Sequence, residues 1–474
     1  MIEIGLLAML GVFVVHVVVT TKSLRLLNPG SIFLGMQLLM AYGTSSLLDL
    51  SIEADAVHWS VIVVSYFAFA FASLILCISD HLYSRRSGRA SARPAYIVAV
   101  GARPAVVALV VLSVLISAAY FAAVGYNVLL EGLGGSLSSD EAAQMRKNSY
   151  SGDQYFFPGY VNQFKNSLLP ALVLVLVVWA YSARKAYRHI MSVGLSIVSL
   201  IFLMGTGQRG ATVTVFIITV VFAGYLGSRY LRRTVILVAA IGIPIFFLGS
   251  LVLGRSSAEY EAADTGLERA GVLFGELVAR IVDSNQGSSL EAFRYVHSIP
   301  PVWGRDWLDT LVGLLPGASG TNLANIVYKN MYGTLEGTAP PSLWGSVFHN
   351  LGFGGLVVFA LALGALYYFI GRSMASAAVS NTLAAVGMAG TAAVLGTWIA
   401  GGPEYLANTG IGVYVLLWIW GRRIAGESGQ RMTDMDSIVR VGNVGNSGLV
   451  PPIHVGVSSP RGLSVRRVVG RSDV

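Results

Sequence analysis

The feature that most constrains this chain is the recurrence, along almost its whole length, of apolar runs of roughly sixteen to twenty-five residues. A helix rises about 1.5 Å per residue, so each run crosses or nearly crosses the hydrocarbon core of a bilayer. Eleven such runs lie near residues 4–20, 32–48, 57–78, 104–124, 168–183, 190–206, 211–226, 234–253, 346–370, 382–399 and 405–420. The fifth and the eleventh are short and must tilt or extend to span. Composition agrees. Hydrophobic residues make up 54% and charged residues 12%, whereas a soluble domain carries about 25% charged residues. The chain reads as an all-α, polytopic membrane protein. Its single cysteine, Cys77, lies inside an apolar run, which leaves no disulfide and no Cys-based metal site. Glu3, and no basic segment, precedes the first run, unlike a cleavable signal peptide.

Charge sets the expected orientation. With the first run entering from outside, the inner segments hold Lys22 and Arg25, the Arg85–Arg103 cluster, Arg184, Lys185 and Arg188. They also hold Arg229, Arg232, Arg233, Arg372 and the arginines of the C-terminal tail. Together these are 22 of the 32 basic residues, while the outer segments keep 19 of the 24 acids. Lys and Arg accumulate on the cytoplasmic side of membrane proteins. The N-terminus is therefore expected in the periplasm and the C-terminus in the cytoplasm. The net charge of +8 is then a signature of topology, and no nucleic-acid-binding motif accompanies it. Residues 1–421 read as a membrane domain with two long periplasmic loops, 125–167 and 254–345. Residues 422–474 are rich in Gly, Ser, Pro and Arg and poor in large apolar side chains, as expected of a disordered basic cytoplasmic tail. An Asp434-x-Asp436 pair there reads as coincidence.

Polar chemistry concentrates at the outer boundary. Gly205-Thr-Gly-Gln-Arg209-Gly turns the sixth run into the seventh. Glycines at such a turn let backbone approach a ligand closely, and Arg offers a planar fork for phosphate oxygens. A lone boundary Arg can instead simply snorkel; the flanking glycines favour ligand contact. The loop 125–167 contributes Arg146, Lys147 and Asp153, then the aromatics Tyr155, Phe156, Phe157 and Tyr160. These aromatics suit either the headgroup layer or sugar stacking.

The loop 254–345 is roughly ninety residues long, a length that is usually functional or disordered. Its aromatics and helical periodicity argue for order. Arg269, Glu276, Arg280 and Asp283 share one face of a helix expected over 264–283, either as a site or as an exposed salt-bridged face. A second helix is expected from Ser288, with Glu291 at capping-box spacing and Arg294 one turn on. Arg255 follows the eighth run directly. Thr338-Ala-Pro-Pro-Ser-Leu-Trp-Gly-Ser-Val-Phe-His349-Asn350-Leu-Gly352-Phe-Gly-Gly355 leads into the ninth, placing an imidazole at membrane depth, for packing or for proton transfer.

In span number, loop layout, the Gly-Gln-Arg209-Gly turn and the Pro-Pro-Ser…His349-Asn350-Leu-Gly352-Phe-Gly-Gly run, the chain resembles the Wzy-type oligosaccharide repeat-unit (O-antigen) polymerases. Arg255, followed after ten residues by Gly266, is similar to an Arg–Gly spacing of their periplasmic loops. Ser346 stands where many members carry an acid shortly before the Asn-x-Gly. The resemblance implies a GT-C-like glycosyltransferase of the bacterial inner membrane, acting at the periplasmic face. It would join undecaprenyl-diphosphate-linked repeat units into O-antigen or a similar polysaccharide and release undecaprenyl diphosphate. It further implies a flippase and a chain-length regulator as partners, with no cofactor and no metal. Cations would steady the departing diphosphate: Arg209, Arg255 and Arg280 foremost, then Arg146, Arg269 and Arg294. A base would take the acceptor's proton, with Glu291, His349 and Glu276 as candidates. The alternatives are an O-antigen ligase, and a flippase or transporter of the same lipids.

In a Cys77→Ser background, cysteines at Ser151 and Ser319 are expected to react with an impermeant thiol reagent in intact spheroplasts, and one at Ser458 only after permeabilisation. Labelling of Ser458→Cys in intact cells would reverse the orientation.

Overall fold

The structure is a computed structural model that describes residues 1–24, 27–86, 96–99, 103–135, 137–149, 158–183, 186–207, 210–252, 264–266, 268–269, 271–272, 275, 285–313, 322–335, 337–376, 380–429 and 438–441. Met1–Val441 form one unit; Gly442–Val474, the second, lie outside the described residues.

Each of the eleven apolar runs is helical: α1 (Ile2–Ser23), α2 (Pro29–Ser45), α3 (Glu53–Arg86) and α4 (Arg103–Val124) open the chain. Two short helices follow, α5 (Val128–Leu133) and α6 (Ser139–Asn148). Then come α7 (Pro158–Asn162), a π-helical turn (Gln163–Leu168) and α8 (Leu169–Ala183) in continuous succession. Helices α9 (Ala186–Met204), α10 (Gly210–Leu226) and α11 (Ser228–Val252) lead to a long connecting segment, which holds α12 (Asn285–Val296), α13 (Arg305–Gly313) and α14 (Leu323–Tyr332). Finally α15 (Leu343–Ser376), α16 (Thr382–Gly396), the single turn α17 (Tyr405–Asn408) and α18 (Ile411–Gly429) close the membrane region. Three short strands, β1 (Tyr96–Ala99), β2 (Ser380–Asn381) and β3 (Ile438–Val441), pair in the order β2-β1-β3. Among the described residues, six helices are long and apolar enough to cross a bilayer: Ile2–Thr21, Glu53–Tyr83, Pro104–Val124, Tyr160–Ala180, Ala186–Met204 and Leu343–Ala375. The chain is a predominantly helical, multi-pass membrane protein. Large apolar side chains lie exposed along α1, α4, α9, α11 and α18, including Ile4, Leu115, Ile190, Ile236 and Leu416. Lipid is the solvent such a surface calls for.

Asparagine starts four of these helices. Asn28, Asn127, Asn322 and Asn381 each accept a backbone N–H of the first turn, and Pro29 occupies the first helical position of α2, where no N–H is needed. Asn322 and Asn325 complete a reciprocal capping box on α14, which ends on left-handed Gly333.

The molecule is centred on α16. All fifteen of its residues are buried. At this length it is shorter than the roughly 30 Å hydrocarbon core, but it meets other helices along its whole length, so the mismatch is not presented to lipid. Its sequence, rich in Ala and Gly, lets α18 come close. A methyl group at Gly387 would overlap the backbone of Trp418, and one at Gly390 would overlap the Tyr414 ring. Helix α15 approaches α3 in the same way at Gly364, against the Phe69 carbonyl. Beside that crossing lies an aromatic cluster in which Phe33 meets Phe69 at 4.6 Å and Tyr367 at 5.3 Å between ring centroids.

Helix α15 is broken. Gly352 adopts φ 67°, ψ −173°, which separates an N-terminal half-helix (Leu343–Leu351) from the long C-terminal one. The break exposes the His349 carbonyl, and the Val302 amide satisfies it at 3.0 Å. A methyl group at Gly352 would sit 2.8 Å from Pro301 Cγ. Glycine is required twice here, for the positive φ and for the close approach.

Several expectations are revised. The membrane helix expected from 168 begins earlier, because α7 and the π-turn continue into α8, so Lys165 belongs to a buried helix and not to a loop. The helix expected from Ser288 begins at Asn285, and the Ser288–Glu291 capping box does not form: Ser288 Oγ donates to the Pro340 carbonyl at 2.8 Å. A capping box does mark the helix expected from Asp264, where Glu268 accepts from the Thr265 amide at 3.0 Å and Thr265 Oγ accepts from the Glu268 amide at 3.2 Å. Helix α18 runs to Gly429, past the expected start of the tail at 422, and Ile438–Val441 pair antiparallel with β1.

Gly387→Ala is expected to destabilise the detergent-solubilised protein by about 1–3 kcal/mol through overpacking. Gly412→Ala, on α18 with nothing within 4 Å, is expected to leave the thermal midpoint unchanged.

Candidate functional site

The N-terminal half-helix of α15 faces α13 and the connection between α16 and α17, and polar groups converge there. Ser346 accepts from the Trp307 indole N–H at 2.9 Å. Asp306, next to Trp307 on α13, accepts the Leu323 amide at 2.7 Å, which ties α13 to the start of α14. His349 and Asn350 follow on the half-helix; Asn350 donates to the Ser346 carbonyl at 2.9 Å. The connection supplies Glu404, whose Oε1 accepts the Gly402 amide at 3.0 Å. It is held from both sides. Trp398 Nε1 donates to the Gly401 carbonyl at 2.9 Å, and the Leu343 amide donates to the Ile399 carbonyl at 2.8 Å. Gly402 sits so close to Glu404, Ser346 and Trp307 that any side chain there would overlap all three.

Two carboxyls in this cluster are tuned by burial. Burial pushes Asp306 above its ordinary range, opposed by the Leu323 amide, the His349 ring and Asn350, which favour the anion. Burial likewise raises Glu404, to about 7, against its bond to the Gly402 amide and with a contribution from Asp306. Glu404 Oε2, His349 Nδ1 and Asn350 Oδ1 are buried polar atoms with no hydrogen-bond partner in the protein. Such atoms are rare and call for an explanation, of which a substrate is one. A carboxyl poised near neutrality can accept or donate a proton at physiological pH.

A second group of polar residues gathers around the turn at 205–207. The Val128 amide donates to the Gly205 carbonyl at 2.8 Å, and the Gly207 amide donates to the Met204 carbonyl at 2.8 Å. Gly207 has φ 70° and lies against Val128 and the stem of Arg146. Thr206 between them accepts a 3.4 Å hydrogen bond from Lys165, which is fully buried. The two groups adjoin. Gln163 of the π-turn donates to the Ala407 carbonyl at 3.2 Å, and Ser167 packs against left-handed Gly410, so the turn bearing Lys165 abuts the segment that begins at Glu404.

The candidates read from sequence fare differently. His349 stands in the carboxyl cluster and Arg146 beside Gly207. Arg294 is engaged by Asp55, a fully buried carboxylate on α3, in a two-point contact of 3.2 and 3.3 Å. Asp55 also accepts the Asp49 amide at 3.0 Å, so this pair fastens α12 to α3. Nearby, His58 stacks on Phe293 at 4.0 Å and bonds Ser289 at 3.1 Å. Glu291 is half-buried on α12 near Arg294, and Arg269 is exposed on the turn that Glu268 caps. Arg209, Arg255, Glu276 and Arg280 lie outside the described residues.

Sequence reasoning passed over Glu404, Asp306 and Lys165. Glu404 had a signal, a lone acid in a Gly-Gly-Pro turn between apolar runs. The described residues hold no group of three His, Cys, Asp or Glu able to bind a metal ion.

A carboxyl whose folded pKa is raised favours folding at low pH and loses that contribution as pH rises from its unfolded value toward the folded one. For Glu404 the window runs from its ordinary 4.5 to about 7. Glu404→Gln is therefore expected to gain thermal stability relative to the parent as pH rises through that window, with a constant difference above it. A difference independent of pH would show that Glu404 does not titrate there.

Comparison of the chain with family models, with curated proteins and with solved structures finds no match.

Proposed function

We propose that this chain is a membrane glycosyltransferase of GT-C-like character, with eleven spans and a periplasmic N-terminus, that polymerises undecaprenyl-diphosphate-linked oligosaccharide repeat units at the periplasmic face of the bacterial inner membrane. The observation that carries the reading is the adjacency of two unlike halves at one end of the helices. One half holds paired carboxyls, Asp306 and Glu404, with His349; the other holds Arg146 and Lys165 around a glycine turn. Glycosyl transfer from a lipid diphosphate needs both: an acceptor for a hydroxyl proton, and positive charge for the departing diphosphate. Arg209 follows the same turn in sequence. A flippase and a chain-length regulator would be its partners.

In this reaction the acceptor sugar's hydroxyl oxygen bonds to the anomeric carbon of the donor glycan. The bond from that carbon to the diphosphate oxygen breaks, and undecaprenyl diphosphate leaves with the electron pair. The hydroxyl proton passes to the Glu404 carboxylate, whose Oε2 has no protein partner. Asp306 nearby contributes to Glu404's raised proton affinity. The glycosyl bond migrates from phosphate to sugar, so the reaction consumes no further co-substrate.

Glu404→Gln is expected to lower polymerisation by about a hundredfold or more at normal membrane levels, leaving cells with glycans capped by a single repeat unit. Since only the unprotonated carboxylate accepts a proton, the parent enzyme's kcat/KM should rise with pH to a plateau above about 7. Normal polymer length in Glu404→Gln would remove Glu404 from the reaction. Single units trapped on the cytoplasmic leaflet would indicate a transporter, and full-length polymer left on undecaprenyl diphosphate would indicate a ligase.

A further inference from the structure

Lys165 is the least expected charge in the membrane region. It is fully buried, within the helical stretch Tyr160–Ala180 that is apolar enough to span. An ammonium carries three N–H donors. Lys165 uses one, in a long 3.4 Å bond to Thr206. Its other neighbours are aromatic faces, Tyr120 at 5.5 Å and Phe121 at 5.9 Å from Nζ to the ring centroids. Rings at that distance lie at the limit of cation–π contact and neutralise nothing. No carboxylate pairs with Lys165 among the described residues. An unpaired charge withdrawn from water costs several kcal/mol, and ionisable groups at membrane depth generally serve function.

The backbone around it is specialised as well. Lys165 lies in the π-helical turn Gln163–Leu168, a form that recurs at functional sites. The next residue, Asn166, has a buried Oδ1 with no protein partner. On the far side, Arg146 lies against Gly207, one residue from Thr206. The Lys165 ammonium and the aliphatic stem of Arg146, from separate helices, thus meet successive residues of one turn.

We infer that Lys165 is a phosphate-binding residue, its ammonium completed by the anionic diphosphate of a lipid-linked substrate seated beside the Thr206–Gly207 turn. The inference rests on the glycan-carrier reading for the identity of the lipid, and on the geometry alone for the phosphate. Lys165 supplies charge and two hydrogen-bond donors; Thr206 holds it in place.

The test uses the full-length protein in nanodiscs of phosphatidylcholine, with three probes: undecaprenyl diphosphate, neutral undecaprenol and inorganic diphosphate. The parent protein is expected to bind undecaprenyl diphosphate, and Lys165→Met to bind it about tenfold or more weakly, with undecaprenol binding unchanged. Thr206→Val, which keeps the ammonium and removes its tether, should stay within about threefold of the parent, since a neutral hydrogen bond contributes less than a charged one. If Lys165→Met does not reach the membrane, Lys165→Gln, which retains a donor for Thr206, should show the same loss. Equal diphosphate affinity in parent and Lys165 variants overturns the inference. So does an equal loss in Thr206→Val and Lys165→Met, which would make Lys165 only a brace for the turn, and so does a parallel loss of undecaprenol. Lys165-dependent binding of inorganic diphosphate without undecaprenyl diphosphate would sustain the phosphate site and refute the carrier reading. Binding of neither by the parent protein would refute both.

Discussion

The close approach of backbones around α16 is the constraint on which the rest of the structure depends. Inside a bilayer, apolar burial does not distinguish a neighbouring helix from lipid, so helices associate through contact distance and shape. Gly387 and Gly390 allow α18 to press against α16, and Gly364 does the same for α15 against α3. With α16 enclosed along its full length, α2, α8, α10 and α18 are positioned by it. The connection at its C-terminal end, including Gly402 and Glu404, inherits that rigidity. A larger residue at these glycines would move the helices and carry the carboxyl cluster with them.

Polar groups at this end are supported by backbone that departs from regular helix only where something else satisfies it. The break at Gly352 frees the His349 carbonyl, and Val302 supplies the missing donor. The turn at Gly205–Gly207 is closed by Val128 and Met204. Irregular backbone at membrane depth is tolerated when it is enclosed by protein, and both instances here border groups with reactive potential. The same economy explains Arg294: its guanidinium meets the carboxylate of Asp55 in a fork, the arrangement best suited to a partly enclosed ion pair.

Much of the fold was legible in the sequence because it is written in run length. The apolar stretches fold as helices, and periodicity places a helix start at Asp264, where Thr265 and Glu268 form a capping box. What escaped was set by tertiary contact. Gln163, Lys165 and Asn166 read locally as loop residues, yet packing against Ala407, Gly410 and Thr206 folds them into a buried helix. Ser288 had the spacing of a cap, but Pro340, 52 residues away, takes its hydroxyl. The candidate site was half visible. His349 and the glycine turn stood out by composition, while Asp306 and Glu404 are unremarkable acids until the half-helix of α15 brings them to Ser346. Asp55 and Arg294 are 239 positions apart, and no local pattern links them.

Helices α12 and α14 are not a detachable cap. Phe293 lies on His58, Arg294 is locked to Asp55, and Ser289 bonds to the same histidine that Phe293 covers. Leu323 and Val327 of α14 join the same apolar core as Phe33 and Tyr367 of the membrane helices. Helices α12 and α14 and the first turns of α3 therefore form one structural unit. In a chimaera that replaces the segment between α11 and α15, losing Arg294 without altering α3 would leave Asp55 without its counter-charge. The natural boundaries for such an exchange include the first turns of α3.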